Sequence, residues 1–171
     1  MERTKQLTLS AMLTALSVVI LLFGMVVEVL DIAAVLLASM PIVFAMLELR
    51  RAWPYLLWAA TSAIMLLFFF SLVSLEYAFF GGLYPILKYY FEKLPLRLAL
   101  IPKLLSFNLL AAAVLWLSTA ALGAALPAEG WFWIPLILLA NLTFLIYDLL
   151  MTRLIVRYLL SIRPRIARFL K

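Results

Sequence analysis

The stretch Leu7–Gly24, LTLSAMLTALSVVILLFG, carries no charge and is apolar enough to span a bilayer. It matches the roughly 20 residues that an α-helix needs to cross the hydrocarbon of a bilayer. It also holds a run of small residues: Ser10, Ala11, Thr14, Ala15 and Ser17. Ala11 and Ala15 are four apart and share a helix face. Ser10, Thr14 and Ser17 make a second small strip beside it. Lipid supplies no hydrophobic drive between helices, so close approach at small residues is a main route to a tight helix pair. The stretch therefore reads as a first membrane helix with one face shaped for another helix.

The rest of the chain fits the same solvent. Of its 171 residues 68% are hydrophobic, against roughly 45–50% in an ordinary soluble domain, and the mean hydropathy is +1.19. That excess leaves too little polar surface to cover a water-soluble globule. Small residues do not cluster after the first segment and further apolar segments follow at once, so it reads as retained rather than cleaved. The chain has no cysteine and no histidine. This excludes Cys/His zinc sites, His or Cys haem ligation, and Ser–His or Cys–His nucleophile pairs. The pair Gly81-Gly82 is not followed by Gly-Lys-Ser/Thr, so no phosphate-cradling loop is present. No predicted site pairs two carboxylates for hydrolysis. The expectation is a non-enzyme with no cofactor and no metal.

Six spans are predicted, at about Leu7–Val27, Ile32–Leu47, Trp53–Leu75, Tyr77–Phe91, Leu98–Leu122 and Trp131–Met151. The charges sort between them. Arg3 and Lys5 precede the first span, and Arg50 and Arg51 separate the second from the third. Lys88, Lys93, Arg97 and Lys103 bracket the turn from the fourth to the fifth. Arg153, Arg157, Arg163, Arg165, Arg168 and Lys171 follow the sixth. The alternate turns hold Glu28, Asp31, Glu76 and Glu129, and no Lys or Arg. Short Lys/Arg-rich loops stay cytoplasmic. The net charge of +6 thus speaks for orientation rather than for nucleic acid. The predicted fold class is an all-α integral membrane protein, a single bundle over residues 1–171 in the cell membrane with both termini cytoplasmic. Trp53 falls at the inner interface and Trp131 and Trp133 at the outer one, where amphipathic rings are favoured. The tail 153–171 is basic and apolar between its charges. It is expected to lie along the anionic inner leaflet, each basic residue contributing about 1 kcal/mol, with docking on an acidic protein as the alternative. Pro164 should end or bend the helix there.

Ionisable groups inside spans are costly and usually face the protein interior. Lys88, Lys103 and Asp148 are the candidates here. Asp148 can pair with either lysine across helices; alternatively both lysines snorkel to headgroups and Asp148 ends a helix. The snorkelling reading is favoured for Lys103, and both readings stand for Lys88. Asn108 and Asn141 fall near mid-span, where two amides can lock the fifth helix to the sixth. The fourth span is the least helix-like, with Gly81, Gly82 and Pro85 interrupting a short apolar stretch. Segments broken in this way line binding sites in transporters. Tyr77, Phe80 and Tyr84 are placed to stack on a flat ring, and Glu76 to meet a polar group. The opposing reading is a kinked packing helix whose glycines admit a bulky neighbour.

Three features give the chain a family likeness. They are the opening TKQLTLSAMLTALSVVILLFG with Ala11-x-x-x-Ala15, the stretch from Val29 to Ala38 (VLDIAAVLLA), and the plan of about six helices with both ends inside. In these it resembles the S components of energy-coupling factor transporters, which capture vitamins and related micronutrients. The resemblance implies that Ser10, Ala11, Thr14 and Ala15 meet a transmembrane coupling subunit driven by two cytoplasmic ATPases. It also implies that a vitamin-like substrate is held at the outer face by Glu76, Tyr77, Tyr84, Trp131, Trp133 and Asn141. The family's longer first loop is replaced here by Glu28–Asp31, and no motif specific to riboflavin, thiamine, biotin or folate is present. Two other readings stay open. One is a non-transporting scaffold similar in plan to the cell-shape protein MreD. The other, ranked last, is an independent carrier using Lys88 and Asp148.

Overall fold

The computed structural model describes residues 3–49, 52–124 and 130–164. The expected loop charges Arg50, Arg51 and Glu129 and the tail residues Arg165, Arg168 and Lys171 lie outside the described residues. Among the described residues the regular structure is helical, with no strand. Four helical stretches are long and apolar enough to cross a membrane: Arg3–Val26, Asp31–Glu48, Leu98–Leu122 and Gly130–Ser161. The chain is thus a helical, membrane-embedded protein by length and composition. It divides into two compact units, one of Gln6–Leu126 and one of Met1–Lys5 with Pro127–Lys171.

Helix α1 covers Arg3–Val26 and contains no proline. A 3₁₀ turn, Glu28–Leu30, leads into α2, Asp31–Ala38. Helix α3, Met40–Glu48, follows after a single residue. The break is chemical: Pro41 has no N–H to return to the preceding turn, and the Ser39 hydroxyl donates to the Leu36 carbonyl at 2.6 Å. The second predicted span is therefore two helices end to end.

Helix α4 is Ala52–Phe68, shorter than the predicted third span. The chain leaves the helix at Phe69, and Ser71 begins a new one. Its hydroxyl accepts from the Ser74 N–H at 3.3 Å, while the Ser74 hydroxyl donates to the Phe69 carbonyl. This serine pair caps α5, Leu72–Glu76. From there the backbone widens into one π-turn, Tyr77–Gly81, closed by the Gly82 N–H on the Tyr77 carbonyl at 2.7 Å. It then resumes as α6, Leu83–Phe91. The predicted fourth span is thus a continuous helical run over residues 72–91, five residues longer at its start than the sequence indicated, and it is not among the four stretches long and apolar enough to cross a membrane. Helix α7, Leu96–Leu122, starts after Pro95 and ends at Gly123. With φ +66°, Gly123 takes the left-handed cap position that glycine fills without strain.

The core of this unit lies where α1, α2, α3, α4 and the run 72–91 meet, around Leu21, Val35, Ile42, Leu57, Met65 and Tyr77. Small residues set the spacing. A Cβ on Gly24 would come within 2.3 Å of the Ala34 Cβ, so α1 crosses α2 at near backbone contact. In the second unit a 3₁₀ turn, Gly130–Phe132, opens α8, Trp133–Arg157. Pro135 sits in its first turn, where a missing N–H costs nothing. Helical structure continues as a π-turn, Tyr158–Ile162, well past the predicted end at Met151. The first part of the basic tail is accordingly helical.

Candidate functional site

The small strips of α1 have different fates. Ser17 is fully buried and its hydroxyl points at the Ala38 carbonyl of α2, 3.4 Å away. Ser10 is buried as well, and its carbonyl accepts from the Thr14 hydroxyl at 2.9 Å. Ala11 and Ala15 remain exposed. They form the floor of an open groove of about 620 Å³ between α1 and α4. Leu7, Ser10, Thr14, Val18 and Val19 complete the α1 side, and Trp53, Leu56, Ala60 and Ile64 the α4 side. At one end the two helices are tied together by the Trp53 indole N–H, which donates to the Gln6 side-chain carbonyl at 2.8 Å. The face that the sequence marked for a partner is therefore a channel with bulky rims. Its small residues Ala11, Ala15 and Ala60 are all exposed.

Three of the predicted substrate residues lie on the run 72–91. Tyr77 and Tyr84 are fully buried, and Tyr84 stacks on Phe80 with ring centroids 5.6 Å apart. Phe80 in turn meets the edge of Phe107 on α7. The π-turn is held from outside by Trp58 of α4, whose indole donates to the Ala78 carbonyl at 2.9 Å. Gly81 and Gly82 make the seat possible. A Cβ on Gly81 would fall 2.9 Å from the Val35 carbonyl oxygen, and one on Gly82 would fall 2.4 Å from the Trp58 ring. Single π-turns inside α-helices are frequent at functional sites.

The π-turn also gathers buried polar atoms. The Tyr77 hydroxyl faces the hydroxyls of Thr61 and Ser17, but no hydrogen bond closes on either the Tyr77 or the Thr61 oxygen. The Ser62 hydroxyl and the Glu76 Oε2 are likewise buried without a partner among the described residues. Glu76 itself is half-buried at the end of α5.

The other three predicted residues belong to the second unit. Trp131 is exposed and stacks on Phe132 at 4.0 Å, and Trp133 is half-buried in the first turn of α8. The Asn141 amide donates to the Ile137 carbonyl one turn back, at 2.8 Å. Asn108 does the same toward Leu104. An amide so engaged still presents its carbonyl oxygen to a neighbour.

The two buried lysines share a carboxylate, Glu92. Lys88 is 1% exposed, and its ammonium sits 2.6 Å from Glu92 Oε1. Lys103, for which snorkelling was favoured, is 8% exposed and turns to the same oxygen at 3.6 Å. One half-open carboxylate thus serves two buried cations. Asp148 does not end a helix, because α8 runs on to Arg157. Its side chain is buried, and its carbonyl accepts from Thr152. Close to Glu92, Lys93 lies over the rings of Tyr89 and Tyr90, and the Tyr90 hydroxyl bonds that of Tyr55. Glu92, Trp58 and Thr61 were not singled out from sequence. For Glu92 the signal existed, since it stands four residues after Lys88, the spacing of a helical ion pair.

Searches against protein-family models, curated proteins and solved structures return no match for this chain.

Proposed function

We propose that this chain is the substrate-capturing membrane subunit of a multisubunit importer of the energy-coupling factor type. It crosses the cell membrane six times with both termini cytoplasmic, and it captures a vitamin-like small molecule at the outer face. Delivery follows when α1 docks on a transmembrane coupling subunit driven by two cytoplasmic ATPases. The observation that carries the reading is the groove between α1 and α4, with Ala11 and Ala15 open on its floor. A chain that needed those residues only for its own folding would have closed α4 over them, as it closes α2 over Ser17. Orientation follows from the Lys/Arg loops, and the π-turn after Glu76 provides irregular backbone of the kind that lines binding sites.

The test is capture of the coupling subunit from membranes that contain the ATPases. Replacing Ala11 or Ala15 by Leu fills the groove floor and should abolish capture while leaving the protein folded. Capture at wild-type level by both variants would overturn the reading. A second reading, a non-transporting scaffold, is favoured by the complete burial of Tyr77 and Tyr84, since in a scaffold side chains fill the interior. Mass spectrometry of small molecules that co-purify with the chain separates the two, because a scaffold carries none.

A further inference from the structure

The π-turn holds one residue more than an α-helix of the same rise. In an α-helix the Gly82 N–H would bond the Ala78 carbonyl, four residues back. Here it bonds the Tyr77 carbonyl, five back, at 2.7 Å. The Ala78 carbonyl is met instead by the Trp58 indole N–H, at 2.9 Å. A buried carbonyl left with no donor is costly. This one has two donors to choose from, and the choice sets the register. If Gly82 takes it, the extra residue passes back toward Phe69–Ser71, where the chain is not helical and can absorb it.

The outcome can be counted along the run. Residues 83–91 are the longer arm and residues 72–76 the shorter. Without the extra residue, each residue of the shorter arm moves into the place of the one before it, about 100° round the axis. Val73, 6% exposed, takes the place of Leu72, 39% exposed. Glu76 takes the place of Leu75, 3% exposed, where a carboxylate is costly. Tyr77 is buried in the core with its hydroxyl unpartnered among the described residues. It leaves for the half-buried place of Glu76. The turn thus has a cost at Glu76 and a gain at the Tyr77 hydroxyl.

We propose that the run 72–91 is a two-register switch. The Trp58 indole latches it in the register described here, and the Glu76 carboxylate is a second hold. Release of the latch turns residues 72–76 as a unit and puts Tyr77 where Glu76 now stands. The switch goes beyond the capture reading and stands without it.

The chain has no cysteine, so one introduced thiol reports one place. The experiment measures the rate of maleimide labelling of the full chain in nanodiscs at Val73→Cys and at Leu75→Cys, with Leu72→Cys as the calibrant of the exposed place. With Trp58 intact, Val73→Cys should label far more slowly than Leu72→Cys. Trp58→Phe removes the indole N–H and keeps a ring beside Gly82. It should speed Val73→Cys about tenfold, the equivalent of one lost hydrogen bond. Leu75→Cys should stay slow, because the place it turns into is that of Ser74, 0% exposed. Adding Glu76→Leu to Trp58→Phe should speed Val73→Cys further. Glu76→Leu alone should give the same pattern more weakly, and it carries the test if Trp58→Phe does not fold. Labelling of Val73→Cys that no variant changes overturns the switch. An equal rise at Leu75→Cys means that the run unfolds rather than turns, and overturns it too. A rise with Trp58→Phe that Glu76→Leu does not increase overturns the hold at Glu76.

Discussion

Helix α1 and the run 72–91 both rely on small residues, and they use them in opposite ways. On the run, Gly81 and Gly82 face inward and let Val35 and Trp58 close on the backbone. On α1, Ala11 and Ala15 face outward onto a groove that no described residue of Gln6–Leu126 fills. The first arrangement serves the fold, and the second leaves its small residues exposed. In lipid, where burial of apolar surface gives little between helices, packing contacts carry most of the stability. An unfilled small-residue groove is therefore a forgone contact. On the proposed function, the contrast between a closed seat and an open one separates structural small residues from interaction residues.

The largest effect should come from the closed side. Tyr84→Ala empties a fully buried aromatic site that Phe80 stacks on. It should cost about 3 kcal/mol, mostly through the cavity, since transfer to lipid contributes less than transfer to water. Thermal unfolding in detergent would show this as a large drop in midpoint. Tyr84→Phe keeps the ring and should retain most of the stability. Next is Gly81→Ala. The added methyl meets the Val35 carbonyl at 2.9 Å and the Val35 side chain at 2.6 Å. Backbone cannot step aside as a flexible side chain can, so overpacking should cost about 1–3 kcal/mol. A neutral Gly81→Ala would mean that the π-turn is not seated as described.

A third prediction concerns the shared carboxylate. Glu92→Gln removes the negative charge that the buried Lys88 and Lys103 both reach. Glu92 is 38% exposed, so water offsets part of the loss, and about 1–2 kcal/mol is expected, in the range of hydrogen bonds to charged groups. Replacing both lysines by Met in that background should recover most of it, as apolar groups of similar volume do for buried ion pairs. Unfolding midpoints of the single, double and triple variants measure the coupling.

These sites also show what could be read from sequence. The apolar runs place α1, α7 and α8, because length and hydropathy alone decide whether a segment suits a bilayer. Gly123 and Pro95 mark the ends of α7 for local reasons that a sequence displays. The end of α4 was not visible. Leu66–Phe70 is uniformly apolar, so periodicity carries no signal there, and the pair Ser71 and Ser74 that starts the next helix was not singled out. Gly81, Gly82 and Pro85 announced irregular backbone but not a π-turn, since the register is chosen by Val35 and Trp58 from other helices. The strips of α1 posed the same difficulty. Ser17 and Ala15 are both small, and only the placement of α2 and α4 decides which stays open.

The smallest effect on stability should be the most telling. Leu at position 11 or 15 projects into a groove with room for it, so stability should change by no more than about 0.5 kcal/mol, as at exposed sites generally. Leu56 and Ile64 on the opposite rim can even gain contact with the new side chain. The same substitution removes the close approach that a partner helix needs, because a Leu side chain holds two backbones apart where Ala admits them. Unfolding midpoints near wild type together with lost capture of the coupling subunit would place Ala11 and Ala15 firmly on the interaction side. A loss of stability as large as that of Gly81→Ala would instead show that the groove closes in the membrane. Both seats would then belong to the fold, and the contrast between α1 and the run 72–91 would disappear.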